Sequence, residues 1–279
     1  RPARARGPRK RRRCGGNFAG PDPAAREPRQ AALEAGLVSQ QEVQRVDAAD
    51  AVAVGRKVFV EREEGLGMVV ADREQGREFA LALPRGVELA MVRIPGKDYW
   101  MGKFQVTQAQ WEAVMGRNPS ESEGADNPVE NVSWDSCQRF LNKLNARPAA
   151  KASGLVFRLP EADEWEYACR AGATGKYCKL ADGTEITEET LGEVAWFGEN
   201  SDEMTHPIGE KKPNAFGLYD MHGNVCEWTA TADGEYRVAS GGGWTYKAES
   251  CESSHRCWFD LSTQYYVIGF RLCASGRAD

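Results

Sequence analysis

The sequence predicts a loop-rich α+β domain, and three observations carry that reading. Short strand-like segments recur between turn residues over 57–60, 67–70, 79–83 and 88–94. Capped segments with apolar residues at helical spacing follow Thr107, Ser133 and Pro160. A long polar and aromatic stretch, 238–273, runs between two strand-like ends, one leading into GGGW and the other reading VIGFRL. Long loops held between strands usually carry function.

With 279 residues, 41% of them hydrophobic, the chain is long enough for one large domain, or a domain with a small accessory, around a real core. The formal charge is −5, and because residues 1–13 contribute +8 the remainder stands at −13. A body that acidic argues against nucleic acid as a partner. No run reaches the apolar length that spans a bilayer, and no apolar stretch follows the basic start, so neither a transmembrane segment nor a signal peptide is visible in this chain.

Residues 1–28 are rich in Arg, Pro, Gly and Ala without periodicity. They bury too little apolar area to offset the entropy of ordering, and a disordered basic tail is expected. Residues 29–87 are expected as a small N-terminal accessory region. Within it Ala32, Leu33, Leu37, Val43 and Val46 fall at helical spacing over 30–51, predicting one or two short helices ahead of the strands over 57–60, 67–70 and 79–83. The main domain is 88–279 and opens on the strand over 88–94.

In KFQVTQAQWEAVMG (103–116), Thr107 is a natural N-cap and Gln110 completes a capping box. Ser133 caps a second helix that runs through Leu144, with Phe140, Leu141 and Leu144 on one face. A strand stops at Pro160, and the helix after it carries Glu161, Asp163 and Glu164 near its N-terminus. Acids there stabilise the helix dipole, which is a sufficient reason for them without catalysis. Trp111, Trp134, Trp165 and Trp228 sit in apolar patterns bounded by helix or strand and are expected in or near the core. Beyond 178 the chain is loop-dominated.

Eight cysteines are scattered with no C-x-x-C pair, and three histidines accompany them, a pattern that does not make a zinc site. Free thiols and a few disulfides both remain open, since a core of this size needs no staples.

The runs RLPEADEWEYACRAG (158–172) and HPIGEKKPNAFGLYDMHGNVCEWT (206–229), the GGGW entry at 241–244 and the GFRL exit at 269–272 resemble the formylglycine-generating-enzyme, or sulfatase-modifying factor, family. Together they cover about 88–275. The resemblance implies a C-type-lectin-like α+β fold with a small mixed sheet, two or three helices and long loops on one face. In active members a pair of cysteines in the C-terminal loop binds copper and, with oxygen, oxidises a substrate cysteine to formylglycine. Such chemistry needs two soft thiolates converging on the metal. Counted from Arg256 and Cys257, those positions fall on Lys247 and Glu252, with Cys251 one residue away. The expectation is a protein without that oxidase activity, with no catalytic residue and no required cofactor. Cys251 is expected to be an ordinary buried residue, because no histidine is placed by motif to activate it. An oxidase of this family acting on a cysteine or another substrate is the competing reading.

The GG-G-W entry and IGFRL exit are also similar to those of the variable proteins of diversity-generating retroelements, which share this fold. There a mutagenic reverse transcriptase rewrites selected loop positions. The resemblance places the variable region at about 237–273, with Ala248, Glu249, Cys251, Arg256 and GFRL fixed. Thr245, Tyr246, Ser250, His255, Trp258, Phe259, Gln264, Tyr265 and Tyr266 are then the changeable, ligand-binding positions. They mix rigid aromatic rings with small polar side chains, a composition that gains contact area at low entropy cost. The implied function is non-catalytic display of a loop that recognises a protein or other macromolecular ligand, as one contiguous exposed patch at the cell surface or outside the cell.

Two further expectations rest on the family. Asn224 and Glu227 fall where members place oxygen ligands for a structural calcium ion, a hard cation suited to such groups. Cys169 and Cys257 stand at the positions of a family disulfide, which requires Cα atoms within about 7 Å.

Overall fold

Alternating burial over 78–82, with Phe79 and Leu81 inward, marks one strand of the framework. The computed structural model describes residues 77–276 and the strand segments 43–46, 51–54, 57–60 and 67–70. The first strands are β1 (Val43–Val46), β2 (Ala51–Val54), β3 (Lys57–Val60), β4 (Gly67–Val70), β5 (Glu78–Ala82), β6 (Glu88–Arg93), β7 (Tyr99–Gly102) and β8 (Leu155–Arg158). With β13 (Cys273–Gly276) they form one nine-stranded sheet in the order β1-β2-β3-β4-β5-β6-β7-β13-β8. β5 and β6 pair antiparallel across the turn 83–87, with Phe79 opposite Met91 and Leu81 opposite Leu89, and all four side chains are buried. β13 lies antiparallel to both β7 and β8, so the last described strand closes the framework that earlier strands open.

Val43 and Val46, expected in a helix, lie in β1, and the AVAV run after them forms β2. Three-residue apolar spacing fits a helix, but β-branched valine favours the pleated state, and the short segment follows that preference. Ala32, Leu33, Leu37 and the basic tail 1–28 lie outside the described residues.

The helices start where their caps predict. In α1 (Gln108–Met115) Thr107 Oγ1 accepts from Gln110 N at 3.1 Å and Gln110 Oε1 accepts from Thr107 N at 2.9 Å. Ser133 Oγ accepts from Ser136 N to open α2 (Trp134–Ala146), whose buried face holds Phe140, Leu141 and Leu144. A short α3 (Pro148–Ser153), starting at Pro148 and stopped by left-handed Gly154, was not legible from the apolar pattern. In α4 (Ala162–Arg170) Glu161 and Glu164 form the capping box, and Glu164 takes a bidentate pair from Arg158 at 2.6 and 2.7 Å. These acids are structural, as expected.

Trp111, Trp165 and Trp228 are buried, and Trp134 is half-buried against the cluster that holds Trp111 and Trp228, while Trp165 packs in a second cluster. Trp111 stacks on Phe140 at 5.4 Å, and both meet Phe270 edge-on at 5.9 and 5.4 Å. This wedge fixes two helices to the GFRL exit.

The second sheet carries the long loop. It comprises β9 (Cys226–Asp233), β10 (Tyr236–Ser240), β11 (Arg256–Asp260) and β12 (Ile268–Gly269) in the order β11-β10-β9-β12. β12 runs parallel to β9, and the other pairs are antiparallel. At the base of this sheet Glu227 and Arg271, both fully buried, meet through two bonds of 2.7 Å, from Nε to Oε2 and from Nη2 to Oε1. Arg271 also donates to Gly102 O and Tyr219 O, and Glu227 accepts from Trp165 Nε1 at 2.7 Å and Gln105 Nε2 at 2.9 Å.

Breaking a pair of this kind leaves one charge buried without its partner. Arg271→Met is expected to cost about 3–5 kcal/mol, the usual loss when a buried ion pair is split. Urea unfolding followed by tryptophan fluorescence measures it, and a loss under about 1 kcal/mol, the level of an exposed pair, would contradict the central role given to this pair.

Candidate binding face of the C-terminal loop

Glycine lets β10 turn into the loop. Gly241 and Gly242 have φ of 100° and 68°, and a Cβ on Gly242 would lie 2.5 Å from Cys251 Sγ and 2.8 Å from Ser250 O. The GGGW motif is therefore a place where two backbone segments touch. Main-chain bonds then pin the loop whatever its side chains are: Trp244 N to Asn224 O, Gly198 N to Tyr246 O, Asn131 N to Tyr265 O and Ile268 N to Tyr265 O. Trp244 adds Nε1 to Tyr266 O at 3.2 Å, and its own carbonyl accepts from Ser201 Oγ at 2.8 Å.

The nine expected binding residues divide into two groups. Thr245, Trp258, Gln264 and Tyr265 are exposed, Trp258 to 52% and Tyr265 to 44%. Tyr246, Ser250, His255, Phe259 and Tyr266 are half-buried. Tyr246, Phe259 and Tyr266 pack against the core, Phe259 edge-on to Trp228 at 5.8 Å. Burial also holds the Tyr246 phenol well above its ordinary pKa. Tyr265 and Tyr266 rings lie 4.5 Å apart.

The single exposed patch is corrected by the pleat of β11. Successive side chains on a strand point to opposite faces. Cys257 and Phe259 turn toward Cys226 and Trp228, whereas Arg256 reaches Asp163 and Glu166 of α4 on the other face, with Trp258 on its side. Trp258 and Phe259 therefore lie on opposite sides of an edge strand.

The positions of the family's paired cysteines hold no sulfur. Lys247 is exposed, and Glu252 pairs with Lys176 at 2.7 Å. Cys251 is buried as expected, and burial pushes its thiol up to about 12.

Cys169 and Cys257 are unbonded. Cys169 Sγ lies 3.5 Å from His222 Nε2 and 3.5 Å from Ser253 Oγ, while Cys257 faces Cys226 and His255. His222 is held neutral, its pKa lowered to about 4 by burial, and its Nδ1 donates to Cys251 O at 2.8 Å.

Asn224 and Glu227 do not fit a calcium site. Asn224 Oδ1 accepts from His206 N, and both Glu227 oxygens are taken by Arg271, Trp165 and Gln105. The carbonyls of Asp220, Gly223 and Val225, with Glu227 Oε1, converge instead on Gln105 Nε2 at 3.1, 3.1, 3.0 and 2.9 Å. An amide and a guanidinium supply the positive ends that a cation would otherwise bring. Among the described residues no group of three or more His, Cys, Asp and Glu side chains could hold a metal ion.

Sequence reasoning missed two clusters. His255 and Cys257 stand two apart, which on a strand is one face, and that spacing was the available signal. Trp196 is sandwiched between His206, stacked at 3.7 Å, and Lys211, whose Nζ lies 3.6 Å from the ring centroid. Nothing in the local pattern marked that cation–π stack.

Two curled sheets, four short helices among the described residues and a pinned, aromatic C-terminal loop define a C-type-lectin-like α+β domain. The chain belongs to the sulfatase-modifying factor family, whose enzyme 1-like domain matches residues 34–275. It is similar to the chaperone protein LppX of Paenibacillus barcinonensis, 30% identical over 64% of this chain and 80% of that protein. It is also 31% identical to the inactive C-alpha-formylglycine-generating enzyme 2 of Bos taurus, over 61% of this chain and 58% of that protein. Among solved structures, Treponema denticola variable protein 1 superposes over 72% of this chain and 100% of its own, with a TM-score of 0.63 and 27% identity. PvdO from Pseudomonas aeruginosa, at 21% identity and a TM-score of 0.54 over 77% of this chain and 96% of its own, shares the fold.

Gly242→Ala tests the loop entry. A Cβ at positive φ against Cys251 Sγ and Ser250 O forces strain typically worth about 1–3 kcal/mol. The expected outcome is a lowered denaturation midpoint with unchanged far-UV circular dichroism, and an unaltered midpoint would show that the turn has slack.

Proposed function

We propose that the chain is a non-catalytic display protein whose C-terminal loop recognises a macromolecular ligand, with a protein as the favoured class. The observation that carries the reading is the separation of side chain from scaffold in the loop. Exposed Thr245, Trp258, Gln264 and Tyr265 ride on a backbone held by hydrogen bonds that do not involve their side chains. Exposed Trp and Tyr are costly for solubility unless a partner covers them, and they dominate binding hot spots.

Diversification by a retroelement follows the same division. Of the positions assigned as fixed, Ala248, Cys251, Gly269, Phe270, Arg271 and Leu272 are buried, Arg256 is ion-paired to α4 and Glu249 alone is exposed, whereas none of the changeable nine is fully buried. Substitution costs little where a side chain leaves the scaffold and much where it enters it. Similarity to a Treponema variable protein supports this reading. We place the protein at the cell surface or outside the cell, where such a loop meets partners. Lys247 and Glu252 in place of two thiolates support the absence of oxidase activity.

The test compares the same gene in sibling isolates. Changes are expected to concentrate at the nine positions and to spare Ala248, Cys251 and 269–272, whereas changes spread evenly along 88–275 would overturn the reading. A variant with Thr245, Trp258, Gln264 and Tyr265 all changed to alanine should keep its unfolding midpoint, since exposed positions each contribute within about 0.5 kcal/mol. Tyr246→Ala and Tyr266→Ala should each lower it, because those rings also pack. Production of an aldehyde from a cysteine peptide with copper and oxygen would instead establish the oxidase.

A further inference from the structure

The loops that border the C-terminal loop carry charge of one sign. Residues 118–131 hold Glu121, Glu123, Asp126 and Glu130 with no Lys or Arg, and residues 198–206 hold Glu199, Asp202 and Glu203, again with neither. All of these except Glu130 are exposed, and the ion pairs among the described residues involve none of them. The cations that flank these loops in sequence are few. Lys211 lies on the Trp196 ring, Lys212 pairs with Glu193, and Arg117 and Lys247 are exposed singly.

Hydrogen bonds lace both acidic loops to the C-terminal loop and to each other. Asn131 N donates to Tyr265 O at 3.1 Å, Gly198 N to Tyr246 O at 2.8 Å, Ser201 Oγ to Trp244 O at 2.8 Å, and Asn127 Nδ2 to Thr205 O at 3.2 Å. The acids therefore border exposed Thr245 and Tyr265. Exposed Met204, a side chain that adapts to varied partners, follows Asp202 and Glu203 on the same border. Beneath the first loop Glu130 is 1% exposed, and its Oε1 accepts from the amides of Glu121 and Ser122. Its Oε2 has no hydrogen-bond partner among the described residues. Burial raises the Glu130 pKa to about 6, which leaves the group an anion at neutral pH. A buried anionic oxygen without a donor marks a place where a donor is missing.

We propose that this acidic border docks a basic, arginine-bearing segment of the protein that the C-terminal loop recognises; the proposal rests on the reading of that loop as a recognition loop and adds the chemistry of its partner. A guanidinium meets carboxylates through paired hydrogen bonds and lies flat on aromatic rings. Both are offered here, since the Tyr265 and Tyr266 rings stand 4.5 Å apart and the charge of Glu121 adds to that of Tyr265 in raising the Tyr266 pKa. Charge of one sign around a binding face steers an opposite partner and repels nucleic acid and acidic proteins. None of the border acids is among the nine changeable positions. Attraction to a basic partner is thus constant while the loop side chains set which basic partner fits.

The test titrates the full chain into a short fluorescein-labelled peptide of alternating Arg and Ser, read by anisotropy at low and at physiological salt, beside the same peptide with Glu in place of Arg. The arginine peptide is expected to bind, more weakly at the higher salt, and the glutamate peptide not to bind. A variant with Glu121→Gln, Glu123→Gln, Asp202→Asn and Glu203→Gln should bind the arginine peptide about tenfold more weakly, the combined worth of four exposed ion pairs. Glu88→Gln, Glu188→Gln, Asp233→Asn and Glu235→Gln together remove as much charge from exposed positions elsewhere and should leave binding as in the wild type. Both variants should keep the wild-type unfolding midpoint, and the salt and peptide comparisons need only the wild type. Equal weakening in the two variants, binding of the glutamate peptide, or no binding of the arginine peptide would overturn the proposal. The display reading is judged on loop variation among isolates, so it survives if the border ignores arginine, and the peptide result survives if the loop does not vary.

Discussion

The buried pair between Arg271 and Glu227 is the constraint on which the rest of the domain depends. Each residue is fully buried, and neither can be read as decoration of a surface. Arg271 belongs to the GFRL exit and Glu227 to the NVCEW run, so the pair joins the end of the long loop to the strand that precedes it. Through Gly102 O, Tyr219 O, Gln105 and Trp165 it also touches β7, the preceding loop, the approach to α1, and α4. Buried ion pairs often add little net stability compared with apolar packing, but they penalise every arrangement that separates them. Here that penalty falls on any register in which β9 and the exit segment fail to meet.

With both ends held, the loop between Gly243 and Val267 gains a particular freedom. The amide of Trp244 and the carbonyls of Tyr246 and Tyr265 bond to Asn224, Gly198 and Asn131 through backbone atoms, contacts that survive a change of side chain. Tyr246, Phe259 and Tyr266 qualify this freedom, since each is half in the core and half out. A replacement there has to preserve packing against Trp228 and the neighbouring core. The loop therefore has two kinds of position, and the pleat of β11 sets which kind alternate residues become.

Local signals in the sequence reached most of the fold. The capping box at Thr107 and Gln110, the Ser133 cap and the acidic start of α4 name interactions between residues three apart, and all are present. Strands over 57–60, 67–70 and 88–93 likewise follow from composition and turns. The segment 43–54 misled because helical spacing and β-branched composition conflict there. Partners distant in the chain were the real limit. Family motif placed Glu227 among polar ligands, but its partner is Arg271, 44 residues on, and no local pattern links the two. The implied Cys169–Cys257 bridge failed for the same reason, as His222 and Ser253 take one sulfur and His255 and Cys226 the other.

The two positions at which the resemblance implies paired thiolates carry charged side chains instead. Two thiolates converging on copper demand fixed side-chain positions, so a loop built for oxidation cannot also vary freely beside its metal. Lys247 points to solvent and Glu252 pairs with Lys176, and neither role constrains the neighbouring positions as a metal would. What the scaffold still enforces is the buried line of Ala248, Cys251 and the GFRL exit. The exposed residues between them, Thr245, Trp258, Gln264 and Tyr265, lie outside that buried line, so a change of side chain there costs the scaffold little.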